Sequence, residues 1–305
     1  MITRRQFSSA ALAGVAWPVL TRRWAQAAPV NGVRLGAQTY SFREVARAGT
    51  AEALDVILGA MKACGLDECE LWSPQIEVSP AAPRDAAPAV QTAAREALRK
   101  WRLANGPEYY DGVKRKCAAA GMTIYAYNLS FNDSFTDDEI NRGFEAAKAL
   151  GAEVITASTT LRVAKRVVPF AEKHGVPVAM HNHSNVTDPN EFATPQSFTT
   201  ALAMTPLYRI NLDIGHFTAA NFDPLAFLEQ HHDKITNLHL KDRKKAQGDN
   251  VPWGQGDTPI RQTLAWLRQR KSPVRAYIEY EYPGTRGAVA EVKACADFAR
   301  QALQA

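Results

Sequence analysis

Four short apolar runs in this sequence end in residues that can bind a metal or move a proton. The run from Val176 closes on His181-Asn182-His183 and the run from Arg209 on Asp213-Ile214-Gly215-His216. The run from Ile235 closes on His239-Leu240-Lys241-Asp242 and the run from Arg275 on Glu279-Tyr280-Glu281. One His at such a place is usually a hydrogen-bonded structural residue, and one acid there usually caps the next helix. Four consecutive runs with Asp, Glu or His at the same end are hard to produce by accident. Carboxylates and imidazoles without thiolate suit a divalent ion such as Mn²⁺, Mg²⁺, Co²⁺ or Zn²⁺.

Other residues fit the same chemistry. Glu70 near the end of Glu68–Trp72 is a candidate acid or base, and Trp72 beside it offers a stacking face for a sugar. Lys241 has two readings, pairing with a developing oxyanion or with Asp242. Tyr40, Phe42 and Asn128 are candidates to line a cavity, and Glu281 to bind substrate, although aromatic residues at strand ends also serve as plain core.

The elements that must position these groups follow from periodicity. Eight strand-type runs recur, at 33–38, 68–72, 123–127, 153–157, 176–181, 209–213, 235–240 and 275–280. Helix-type segments lie between most of them. These are 51–64 after Thr50 as a candidate N-cap, 110–120, 137–150 ending at Gly151, 162–174 ending at Gly175, 224–231 and 260–270, with 288–302 closing the chain. Strict alternation of this number predicts a single-domain (β/α)8 TIM barrel, in which inward and outward residues alternate along each strand and the strand ends share one mouth. Thr39-Tyr40-Ser41-Phe42 follows the first run where a dinucleotide-binding fold would carry glycines. One connection is long. Residues 74–105 are rich in Pro and Ala, with a basic amphipathic piece around Arg95 to Arg102, and read either as a surface insertion after the second strand or as a cover over the mouth.

The N-terminus reads as an export signal. Thr3-Arg4-Arg5-Gln6-Phe7 supplies paired arginines, Ser8 to Leu20 is a short apolar stretch broken by Pro18, and Ala25-Gln26-Ala27 has the form of a cleavage site. Residues 1–27 are thus expected to be a twin-arginine signal peptide and 28–305 the barrel, placing the product in the periplasm or outside the cell. The full chain carries 36 basic and 31 acidic side chains. The signal holds four arginines and no acid, so the remainder is near neutral and lacks the concentrated basic face of a nucleic-acid binder. Cys64, Cys69, Cys117 and Cys295 show no paired spacing and are expected to be buried free thiols.

Taken in order, the phrases LGAQTYSFRE, DIGHF, NLHLKD and YIEYEY resemble the xylose-isomerase-like barrels, and within them the sugar phosphate isomerase/epimerase proteins. The resemblance runs from Leu35 to the C-terminal helix and is specific for the superfamily, not for a substrate. It implies that Asp213, His239 and Glu279 are metal ligands and that His216 contacts substrate. It also implies that Trp253, in Trp253-Gly254-Gln255-Gly256-Asp257, belongs to a loop over the site. The fifth strand departs from the family. Where the epimerases place a Glu that serves as ligand and base, this chain has Ala179-Met180-His181-Asn182-His183, so His181 is expected as the fourth ligand and His183 as the base, with the reverse assignment open.

The expected activity is a metal-dependent sugar isomerase or epimerase, or a keto-sugar lyase, acting by proton abstraction alpha to a carbonyl. Its expected partner is a small carbohydrate, with no nucleic acid and, after signal cleavage, no membrane; a homo-oligomer is left open. The alternatives are a carbohydrate-binding barrel that has lost its base and, with less support, an apurinic-endonuclease-like metallohydrolase.

Overall fold

A computed structural model describes residues 29–305 apart from 47, 80, 81 and 84. The expected signal peptide lies outside the described residues. Eight parallel strands close on themselves in sequence order. They are β1 (Leu35–Gln38), β2 (Glu68–Trp72), β3 (Thr123–Asn128), β4 (Val154–Ser158), β5 (Val178–His181), β6 (Tyr208–Asp213), β7 (Ile235–Leu240) and β8 (Arg275–Ile278). Closure is made by β1 on β8, with Leu35 opposite Ala276 and Ala37 opposite Ile278. Parallel strands covered by helices bury both faces, which explains runs such as Leu-Gly-Ala-Gln and Val-Ala-Met-His that are buried at every position.

Around the barrel lie α1 (Ala53–Ala63), α2 (Pro88–Ala104), α3 (Pro107–Ala119), α4 (Asp137–Leu150), α5 (Leu161–His174), α6 (Pro195–Leu202), α7 (Ile214–Ala219), α8 (Pro224–His231), α9 (Ile260–Gln269) and α10 (Ala288–Gln304). Their ends follow local chemistry. Thr136 and Glu139 form a reciprocal capping box at the start of α4, and Gly151 ends that helix in the left-handed conformation, as Gly175 ends α5. Thr50 does not act as the cap of α1, which begins at Ala53 with Glu52 at the cap position and no side-chain bond there. Gly36 is required where it stands. A Cβ on it would lie 2.6 Å from the ring of Tyr277, so its absence makes room for a large side chain inside the barrel.

The connection after β2 is the surface insertion and not a cover over the mouth. Much of it is α2, with Pro88 in the first turn where its missing N–H costs nothing. Arg95 and Arg99 of α2 reach Glu139 of α4 at 2.8 and 3.1 Å, and Arg102 holds buried Glu77 with two bonds of 2.7 and 2.9 Å. These bonds fasten the insertion to the flank of the barrel. None of the described α2 residues lines the central cavity. All four cysteines are buried and free. Among the described residues no helix is long and apolar enough to cross a membrane.

Candidate active site

The site is built on a polar floor across the upper barrel. Glu70, fully buried in β2, accepts from Gln38 of β1 (2.6 Å), Asn128 of β3 (3.1 Å), Thr156 of β4 (2.7 Å) and Asn237 of β7 (2.8 Å). Asn211 of β6 lies 3.3 Å away and His239 Nε2 2.8 Å away from its Oε2. Strand alternation explains the convergence, because each of these residues has the inward parity of its strand. Glu70, a candidate acid or base in the sequence, lies beneath the cavity and not on its wall, where its Oε2 meets His239 Nε2 from below.

Above the floor, β5 to β8 deliver the four expected ligands. His181, Asp213, His239 and Glu279 are all buried and bring one ligand atom each to within 4.8 Å of one another. Asn182, of opposite parity, stitches two of them into register: its Oδ1 accepts from the Asp213 amide at 2.9 Å and its Nδ2 donates to the Asp213 carbonyl at 3.1 Å. Asp213 Oδ1 accepts from the His216 amide at 2.7 Å, starting α7. Gly215 lets that turn lie against the end of β7, since a Cβ there would come 2.6 Å from the Lys241 carbonyl. Glu279 is fixed by its amide, which donates to the Leu240 carbonyl.

Donor chemistry fits a divalent ion. His181 Nδ1 is buried and makes no hydrogen bond, and buried polar atoms rarely stay without a partner; Asp213 Oδ2 makes no hydrogen bond of good geometry either and is met by the Lys241 ammonium at 3.0 Å. His239 Nδ1 stands 3.1 Å from Glu279 Oε2, while Nε2 faces Glu70, the arrangement by which a carboxylate orients a metal-binding imidazole.

Lys241 is the resident cation of this cluster. Its Nζ lies 3.0 Å from Asp213, 2.9 Å from Glu279 and 2.5 Å from Glu281, and 3.1 Å from His216 Nε2. Asp242 is not its partner. That carboxylate instead accepts from the Gly254, Gly256 and Thr258 amides. Burial depresses the charged forms of His181 and His216 and holds both well below the usual imidazole range, with His239 adding to the effect at His181 and Lys241 at His216. Burial acts on His239 in the same sense, but the Glu70 and Glu279 carboxylates outweigh it and hold that ring well above the range. Burial pushes the Asp213 carboxyl up to about 6 against the pull of Lys241.

The cavity over this cluster measures about 300 Å³. His181, His183, His216, His239, Glu279 and Glu281 form one side, and Tyr40, Trp72 and Asn128 stand on the other. Tyr40 and Trp72 meet edge to face at 4.8 Å, and the Trp72 amide is fixed by Thr39 Oγ1 at 2.8 Å. His183 is the most open of the imidazoles facing the cavity, its side chain 42 % exposed and its Nδ1 3.5 Å from Glu191. His181, His183 and His216 also form a second group with mutually close nitrogens.

Trp253 is not brought to the cavity. The tying of its loop to Asp242 turns the indole onto Phe298 of α10, with ring centres 5.7 Å apart. Phe42 is buried in the core and does not line the cavity. Sequence reasoning missed Gln38, Ser130 and Ser158 on the wall and Asn211, Asn237 and Thr156 in the floor. Inward parity beside the motif residues is the signal that finds most of them.

A family model described as "Xylose isomerase-like TIM barrel" matches residues 58–301. Among solved structures, the chain is similar to a sugar phosphate isomerase/epimerase from Parabacteroides distasonis ATCC 8503, with 16% identity over 88% of this chain and 93% of that one and a TM-score of 0.58. An L-ribulose 3-epimerase matches at 14% identity over 89% and 95% of the two chains, TM-score 0.60. The IOLI protein "with a binding zinc atom" matches at 16% identity over 89% and 95%, TM-score 0.56. At these identities the likeness is one of fold. No curated protein matches the chain.

Proposed function

Because the chain belongs to the xylose isomerase-like TIM barrel family, we propose that it is a divalent-metal-dependent isomerase or epimerase, or a keto-sugar lyase, for an uncharged sugar met outside the cytoplasm. The observation that carries this reading is the convergence of His181, Asp213, His239 and Glu279, from four successive strands, under a sugar-sized cavity. Formal charge supports it. Glu70, Asp213, Glu279 and Glu281 surround one lysine and one doubly carboxylate-paired histidine, leaving a deficit of two positive charges.

His181, Asp213, His239 Nδ1 and Glu279 would hold the ion. When bound, such an ion polarises a carbonyl and a neighbouring hydroxyl and so acidifies the C–H between them. Tyr40 and Trp72 give the sugar ring a stacking wall. His183, at the open rim with its Nδ1 3.5 Å from Glu191, would take the proton. Glu281, on the β8 side and partly open to the cavity, accepts a hydrogen bond from a sugar hydroxyl while Lys241 holds its carboxylate in place.

No lysine or arginine among the described residues lines the cavity, and two carboxylates do. That lining favours an unphosphorylated sugar over a sugar phosphate and disfavours a phosphodiester. A carbohydrate-binding barrel without catalysis is the alternative, and one observation favours it: Lys241 already contributes a cation to Asp213 and Glu279. Metal analysis of protein folded in the cytoplasm, followed by a screen of ketoses and keto-glycosides with and without phosphate, separates the readings. The enzyme is expected to hold one divalent ion and to turn over an unphosphorylated compound. Sugar binding without a stoichiometric ion would establish the alternative.

A further inference from the structure

His216 stands between two donors. Arg243 Nη1 lies 2.7 Å from its Nδ1 and Lys241 Nζ 3.1 Å from its Nε2. A neutral imidazole has one N–H and one lone pair, so only one of these contacts is a true hydrogen bond. The two cations differ in freedom. Arg243 is pinned: Nε and Nη2 donate to the Gly248 carbonyl at 3.1 and 2.7 Å, and Nη1 also donates to Ser184 Oγ at 3.0 Å. Its backbone is held as well, the amide donating to Thr258 Oγ1 and the carbonyl accepting from Asp257. The remaining Nη1 proton therefore points at His216. Lys241 sits on a flexible stem and has three carboxylates at 3.0 Å or less to receive its protons.

We propose that Arg243 is a positioning residue that locks His216 into the tautomer with its lone pair on Nδ1 and its proton on Nε2, making it a neutral hydrogen-bond donor to a substrate oxygen. A guanidinium does not give up its proton, so Nδ1 has no other role than acceptor. The Nε2 proton faces an ammonium that offers no lone pair, and it is satisfied only by an oxygen entering the cavity that His216 lines. A hydroxyl or carbonyl oxygen of an uncharged sugar is the matching acceptor. His216 is thereby removed from the list of bases, which leaves proton abstraction to the β5 side of the cavity. The donor role toward substrate rests on the function proposed above; the tautomer does not.

The test is nitrogen NMR of the full-length protein labelled with ¹⁵N-histidine, with the His216 signals identified by their loss in His216→Gln. The protonated nitrogen of His216 is expected to be Nε2 in the wild type. Arg243→Met should abolish that preference and give a mixture or the Nδ1-protonated form, and Arg243→Lys, which keeps a donor, should restore it at least in part. A wild-type ring protonated on Nδ1, or an Arg243→Met protein with an unchanged tautomer, would overturn the proposal. If Arg243→Met does not fold, the wild-type and Arg243→Lys spectra decide it: Nε2–H in both supports the proposal, and a ring protonated on Nδ1 in either overturns it. Failure of the metal or turnover experiments would sink the proposed reaction and leave this spectrum unaltered.

Discussion

Glu70, on β2, reaches across the barrel to place Oε2 2.8 Å from Nε2 of His239 on β7. The bond joins residues 169 positions apart in sequence and leaves His239 Nδ1 aimed at Glu279. Glu70→Gln keeps the shape and removes the charge. It is expected to weaken divalent-ion binding by ~10–100-fold, the usual cost of losing a carboxylate behind a metal-binding histidine, with the barrel still folded. The metal-free protein adds a pH signature. His239 is held well above the ordinary imidazole range, so its stabilisation is fully present below the unfolded value of ~6.5 and is lost as pH rises through the raised one. The Glu70→Gln deficit in denaturant unfolding should thus be largest in acid and shrink as pH rises.

Ion binding should itself depend on pH. The ion needs the Asp213 carboxylate, whose pKa is pushed up to about 6, and an unprotonated His239 Nδ1. Both groups release protons as the ion enters, so calorimetric affinity should climb from about pH 5 to about pH 8 with net proton release. A flat profile would place the ion elsewhere.

The two histidines of β5 are expected to separate. His181→Ala should lose stoichiometric metal, because His181 is buried in the ligand cluster. His183→Ala should retain metal and lower turnover by ~10²–10⁴-fold, the range for loss of a general base. Metal content and rate on the same preparations check this, and the opposite pattern would exchange the two roles.

Stability of the insertion hangs on Glu139, whose side chain is fully buried under Arg95, Arg99 and Arg102. Burial alone would raise its pKa, but the hydrogen bonds from Arg95, Thr136 and Arg99 prevail and hold it at about 2. Its contribution is present above the unfolded value of ~4.3 and is lost as pH falls through the folded one. Glu139→Gln should cost about 2 kcal/mol in chemical denaturation at neutral pH, since Arg95 and Arg99 lose charge-assisted hydrogen bonds to a buried carboxylate while Arg99 keeps Glu96 and Arg102 keeps Glu77. The gap should close in acid, and metal binding should be unaffected.

Much of this architecture was legible in the sequence because a barrel repeats one rule. Each strand places its chemistry at one end, so the convergence of Asp213, His239, Glu279 and His181 was legible from position and residue type, and Gly151 and Gly175 marked the ends of their helices. What escaped depends on closure. Asn211 and Asn237 read as ordinary mid-strand polar residues until the barrel brings them to Glu70, more than 140 residues away in sequence. The place of Glu70 beneath the cavity escaped for the same reason, since nothing local shows that six other side chains converge on it. Trp253 is set over the site only by the resemblance, and nothing local shows that Asp242 binds the Gly254 and Gly256 amides and turns the loop away. The Pro and Ala content of 74–105 concealed α2, although Pro88 in a first turn followed by Ala, Leu, Arg and Lys is a helix signal.

The most direct measurement is proton exchange during turnover. Protein loaded with one divalent ion and incubated in D2O with an unphosphorylated keto-sugar should place solvent deuterium on the carbon beside the carbonyl, or release a beta-leaving group, and His183→Ala should lose this activity while keeping its ion. Turnover with neither deuterium incorporation nor elimination would contradict proton abstraction and point to metal-assisted hydrolysis.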